Sequence, residues 1–172
     1  MQHPLSKFRF CPACGSSNFE VHNATSKRCS VCGFTYYFNP RAAVAVLVYN
    51  AKGELLVARR AKEPSRGMLD LPGGFTESYE TAEQSVAREI FEETSLRVSG
   101  VRYLFSEPNI YPYSGMDIHT MDLFFECHAI DAEQLHPADD VAECWFAAPT
   151  TLKIEEFAFS SIRRALQKVA SR

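Results

Sequence analysis

The 172 residues are 46% apolar and 12% aromatic with a formal net charge of −3, a composition that buries a core rather than staying disordered. That charge argues against a protein that coats nucleic acid non-specifically, so nucleic acid is an unlikely partner on composition, and no apolar run approaches the ~18 residues of a membrane span. The opening Met1-Gln2-His3-Pro4-Leu5-Ser6-Lys7 lacks the apolar core of a signal peptide, and a cytoplasmic location is the default expectation.

The first feature along the chain is a pair of Cys-x-x-Cys knuckles, Cys11 with Cys14 and Cys29 with Cys32, separated by fourteen residues. Four thiolates at that spacing can close a tetrahedral site around structural Zn²⁺, and a glycine after each pair, Gly15 and Gly33, permits the tight turn. Two disulfides in a secreted domain are the alternative, which the missing leader disfavours. A zinc ribbon is therefore expected over residues 1–38, with Phe8, Phe10, Phe34, Tyr36 and Tyr37 as most of its apolar bulk. Cys127 and Cys144 lie in apolar stretches and read as packed core.

Asn39-Pro40 breaks the chain and opens a second domain, residues 39–172. The Ala and Val run of 41–49 predicts a buried strand, Asn50-Ala51-Lys52-Gly53 a turn, and 54–60 its partner strand. A loop rich in Pro and Gly then leads to Leu71-Pro72-Gly73-Gly74, where backbone without side chains can approach an anionic ligand closely. Thr81, with Gln84 three residues on, predicts a capped helix start. On that helix Ala87, Ile90, Phe91 and Thr94 are expected to pack inward, opposite Glu89, Glu92 and Glu93. Three carboxylates on neighbouring helix positions cost the helix ~0.2–0.5 kcal/mol per like-charged pair. A hard cation such as Mg²⁺, shared with substrate phosphates, would turn that crowding into a site. Further strands are predicted at 101–106, 121–129 and 142–146, and a closing helix over 155–170 with Phe157, Ile162, Leu166 and Val169 inward. Strands interrupted by two helices suggest an α/β fold with helices flanking a mixed sheet.

Gly74, five residues, Glu80, seven residues, then Arg88-Glu89-Ile90-x-Glu92-Glu93 ending at Leu96 resembles the Nudix box. One position departs: Ser95 stands where the family has Gly, just past the helix, where a left-handed residue is favoured. The resemblance implies a Nudix-type α/β/α sandwich and hydrolysis of a diphosphate bond in a nucleoside diphosphate derivative, with Mg²⁺ or Mn²⁺ as cofactor. It implies Glu89, Glu92 and Glu93 as metal ligands and Glu93 as a candidate base. Arg88 would orient a box carboxylate, and Glu80 would bind metal or support the loop. Gly73 and Gly74, with Arg59 of the basic cluster upstream and Tyr111, are the candidate substrate-binding residues. Glu143, among Asp139, Asp140 and Glu143 ahead of Trp145-Phe146, is a further candidate ligand or base, or else a strand-edge charge.

A zinc ribbon ahead of such a domain resembles the NADH pyrophosphatase group, which carries a motif Ser-Gln-Pro-Trp-Pro-Phe-Pro-x-Ser after the box. This chain reads Ser106-Glu107-Pro108-Asn109-Ile110-Tyr111-Pro112-Tyr113-Ser114. Both serines and two prolines agree, Tyr111 keeps an aromatic ring, and Glu107, Asn109 and Ile110 depart. Glu107 in place of a neutral amide is expected either to repel phosphate or to recruit another donor. NAD(H), ADP-ribose and nucleotide sugars all stay open as small-molecule substrates, and zinc-ribbon relatives suggest a homodimer. The rival reading is a non-catalytic Nudix-like nucleotide sensor or binding module whose ribbon contacts nucleic acid or protein.

Overall fold

The computed structural model describes residues 3–171, which divide into two compact units meeting at Pro40 and Arg41. The first is a three-stranded antiparallel sheet of β1 (Phe19–Asn23), β2 (Ser26–Cys29) and β3 (Thr35–Tyr37) in that order. Its clustered core is only Cys11, Phe19 and Cys29, with Phe8 against them. Each knuckle closes through a glycine, Gly15 N–H donating to the Cys11 carbonyl at 2.8 Å and Gly33 N–H to that of Cys29 at 3.0 Å. Phe10, Phe34, Tyr36 and Tyr37, expected as apolar bulk, are exposed: a sheet of three short strands has too little inner face to cover them.

The second unit is built on a six-stranded mixed sheet. Its strands are β4 (Arg41–Tyr49), β5 (Leu55–Arg60), β6 (Leu69–Asp70), β7 (Val98–Tyr113), β8 (Met116–Ala129) and β9 (Val141–Ala147). The order is β6-β5-β4-β8-β7, and β9 pairs antiparallel with β5. β4 lies parallel to β8 over its whole length, Arg41 opposite Thr120 through Tyr49 opposite His128. A parallel strand buried on both faces reads as continuous apolar sequence, and β4 alternates between two cores. Val44, Val46 and Val48 join Val86 and Ile90 of α1 (Ala82–Thr94), while Ala45 and Leu47 join Ile162, Ala165 and Leu166 of α2 (Ser160–Ala170). One helix thus covers each face, giving the α/β/α sandwich. Among the described residues no helix is long and apolar enough to cross a membrane.

Three sequence expectations are corrected here. The strand expected at 101–106 is much longer: β7 runs from Val98 to Tyr113 and turns at Ser114-Gly115 into β8. Pro108 and Pro112 fit because β7 is an edge strand, where no neighbour needs the missing N–H. α2 starts at Ser160 rather than near residue 155: Ile154–Glu156 form a single 3-10 turn, after which the chain is extended at Phe157 and Phe159, with Phe157 bridged to Leu69 and Ala158 N–H donating to the Leu69 carbonyl at 2.8 Å. On α1, Ala87 and Phe91 face outward, and the inward stripe is Ser85, Val86, Ile90, Glu93 and Thr94. The helix is rotated so that a carboxylate, not a phenyl ring, is drawn under the sheet edge.

Candidate active site

α1 begins as its sequence predicts. Thr81 caps it, accepting from Gln84 N–H while the Gln84 side chain accepts from Thr81 N–H. It ends at Ser95 in the left-handed conformation, φ 60°, where a residue with a Cβ is strained by ~1–2 kcal/mol. Between these caps Arg88 gathers the box. Its guanidinium donates to Glu80 at 2.7 Å, Glu89 at 2.8 Å and Glu92 at 3.0 Å, and to the Phe75 carbonyl at 3.2 Å. The hydrogen bonds from Arg88 hold the Glu80 carboxyl down at about 2, and the guanidinium's own pKa rises, the Glu80 hydrogen bond being the largest cause.

Glu93 belongs to a different environment. It is 9% exposed, and its Oε2 accepts from Gly73 N–H at 2.9 Å. Burial pushes its pKa well above the usual carboxylate range, and burial also raises Glu89. The two glycines of the turn have separate reasons. Gly73 adopts φ 146°, and a Cβ there would lie 2.1 Å from the Val44 carbonyl oxygen. A Cβ on Gly74 would lie 2.6 Å from Glu89 Oε1. The turn packs against β4 and the two carboxylates it positions. Gly74 also accepts from Val44 N–H at 2.8 Å, which ties the turn to β4.

These groups form one wall of a cavity of about 350 Å³. Aromatic and basic side chains line the same cavity. Arg60 donates to Asp70 at 2.7 Å and reaches the Tyr111 hydroxyl at 3.4 Å. Tyr111 meets the Phe75 ring edge-on at 5.6 Å and the Phe159 ring at 5.5 Å. Arg41 lies over Phe75, 4.2 Å from its centre. Asp70 is buried, and that burial raises it to about 6 against the opposing pull of Arg60.

Of the residues expected from sequence, Glu89, Glu93, Gly73, Gly74, Arg88 and Tyr111 line this cavity. Glu80 and Glu92 stand behind Arg88. Arg59 and Glu143 are elsewhere: they pair with each other across β5 and β9 at 3.0 Å, with Arg59 also over the Trp145 ring. Neighbouring strand residues point to opposite faces, so Arg60 enters the cavity and Arg59 does not. The late acids that line it are Asp139 and Asp140, both paired with Lys62. Glu107 recruits donors instead of facing a phosphate, clamped between Arg164 at 2.7 Å and Lys168 of α2. Sequence reasoning offered Arg60 only as one of the basic cluster Arg59, Arg60, Lys62 and Arg66, and missed Asp70, Phe75 and Phe159. Asp70 carried a signal, an acid between Leu69 and Leu71 beside the glycine turn, because a buried carboxylate needs a cation.

The ribbon fits its expected metal by geometry, and the box fits its own by the type of its donors. In the ribbon, Cys11 Sγ and Cys32 Sγ are 3.7 Å apart, as are Cys14 Sγ and Cys29 Sγ, and all four lie within 4.8 Å of one another. A tetrahedron with Zn–S bonds of ~2.3 Å has edges of about 3.8 Å. At the box the donors are carboxylate oxygens, the ligand type of Mg²⁺ and Mn²⁺. A divalent cation would give the buried Glu93 the opposite charge that Arg88 gives Glu80, Glu89 and Glu92.

Comparison with known proteins agrees with this geometry. A family profile described as NUDIX domain matches residues 39–165. The chain is 36% identical over 114 residues to the NAD-capped RNA hydrolase NudC of Vibrio vulnificus, covering 66% of this chain and 43% of that protein. It is 34% identical over 119 residues to NudC of Haemophilus influenzae, covering 67% and 44%. The chain thus spans less than half the length of the curated relatives it matches. The crystal structure of a NUDIX hydrolase from Nitrosomonas europaea superposes with a TM-score of 0.73 at 26% identity, covering 95% of this chain and 90% of that one. Since these relatives are named for a capped RNA, the net charge of −3 is no ground for setting nucleic acid aside.

Proposed function

Because the chain belongs to the Nudix family, we propose that it hydrolyses the diphosphate bond of nucleoside diphosphate derivatives, with NAD-like dinucleotides the substrates to test first. The observation that carries this reading is one cavity lined by buried carboxylates held against a glycine turn, by aromatic rings and by guanidinium groups. Its volume is in the range of ligand pockets, ~300–1,000 Å³. Glu89, Glu92 and Glu93 would hold Mg²⁺ or Mn²⁺, and Cys11, Cys14, Cys29 and Cys32 would hold Zn²⁺. Bound at the carboxylates, the divalent ion stabilises charge on the phosphoryl oxygens and lowers the pKa of the attacking water.

The chain's own residues do the rest. Arg88 fixes Glu89 and Glu92 so that they need not reorganise. Glu93, anchored by Gly73 N–H, would take the proton of the water whose oxygen bonds to phosphorus as the bridging P–O bond breaks. Tyr111, Phe75 and Arg60 offer ring faces and a cation for the nucleoside half. NAD-capped RNA joins the candidate substrates through the relatives' names, and ADP-ribose and nucleotide sugars stay in the comparison. Purified protein with Mg²⁺ or Mn²⁺ is assayed against these compounds by release of mononucleotide. Turnover of at least one is expected; binding without release from any would favour a nucleotide sensor.

A further inference from the structure

A second cavity, of about 570 Å³, lies between the 64–65 loop, the outer half of β7 and the start of α2. Asn109 and Phe159 line both cavities, so the two adjoin. Their charge is opposite in character. The reaction cavity is lined by seven carboxyl groups and three arginines, the groove by Arg163 and Arg164 and no carboxyl group.

Arg164 is fixed in place, donating to Glu107 at 2.7 Å and to the Pro108 carbonyl at 2.6 Å. Glu107 also pairs with Lys168, so the single carboxylate leaves one of those two positive charges uncompensated. Arg163 adds another: half-buried on the first turn of α2, it has no ion-pair partner among the described residues. Ser65 and Ser160 contribute hydroxyls to the same groove. Guanidinium and hydroxyl groups are the donors that suit a phosphate ester, which Arg can grip through two parallel hydrogen bonds.

We infer that this groove is an annex of the reaction cavity that takes a phosphate ester carried on the substrate's ribose, beyond the diphosphate being cleaved. The inference rests on the diphosphatase reading for its substrate, though not for its binding. Such a phosphate comes from two sources, a 2′-phosphomonoester as in NADPH or a 3′-phosphodiester leading into a nucleotide chain.

The test compares kcat/KM for NADH, NADPH, and NADH extended at its adenosine 3′-oxygen by one nucleotide. One of the two phosphate-bearing substrates is expected to be preferred over NADH by about tenfold through KM, and the one preferred names the source. Arg163→Ala should erase the preference and leave NADH turnover unchanged. Arg102→Ala, which removes a cation paired with Glu126 elsewhere on β7, should keep it. No preference in the wild type, or one that survives Arg163→Ala, overturns the inference. Calorimetry with adenosine 3′,5′-bisphosphate, adenosine 2′,5′-bisphosphate and AMP, without added divalent cation, separates the two readings. Tighter binding of either bisphosphate that is lost in Arg163→Ala sustains the annex even if no substrate turns over. Equal affinity for all three overturns the annex even if NADH is hydrolysed.

Discussion

The two units gather anionic ligand groups in opposite ways. In the ribbon the four thiols meet one another directly, and two of them are most of the clustered core. In the larger unit the carboxylates meet around Arg88 and a glycine turn, backed by two separate apolar cores. Where little can be buried, the ligand cluster is the fold. Where two cores already hold the sheet, ligands can be left open to a reactant, and burial can be spent on tuning Glu93.

The sharpest way to break this contrast is Cys29→Ser. Structural zinc in small modules contributes an apparent ~10–16 kcal/mol, so metal content should fall and amide dispersion should collapse for residues 1–40, with the signals of 41–172 retained. A ribbon still ordered without metal would sink the contrast. Next comes Glu93→Gln, whose amide oxygen can still accept from Gly73 N–H. Stability should hold while turnover falls by on the order of a thousandfold, about 4 kcal/mol of barrier, measured on whichever dinucleotide is hydrolysed.

The two glycines separate fold from site. Gly73→Ala drives a methyl group into the β4 backbone and should cost about 3 kcal/mol in denaturant unfolding. Gly74→Ala presses only the end of Glu89, a side chain that can give way, so it should lower turnover about tenfold with a smaller loss of stability. The smallest effect concerns pH. Asp70 is raised in the folded state to about 6, so its unfolded form releases a proton first. Its contribution to stability is full below pH ~4 and declines as pH rises toward 6, by on the order of 2 kcal/mol. Asp70→Asn should flatten that part of the stability curve between pH 4.5 and 7.

The spacing of Cys11, Cys14, Cys29 and Cys32 and the run from Gly74 to Leu96 were legible because each pattern is local: knuckles, caps and helix faces are decided within a few residues. Thr81 and Gln84 cap α1 as their order requires, and the strand 41–49 has the bounds its apolar run implies. Pairings across the fold were not legible. Whether Arg59 or Arg60 enters the cavity depends on which face of β5 it occupies, and whether Glu143 or Asp140 lies near the box depends on how β9 meets β5. Whether Pro108 and Pro112 end a strand or sit within one depends on β7 having no outer neighbour. The chain by itself determined the ligand types and the elements that carry them. Tertiary structure alone decided which side chains share a cavity, because strand register and edge position are set by partners tens of residues away.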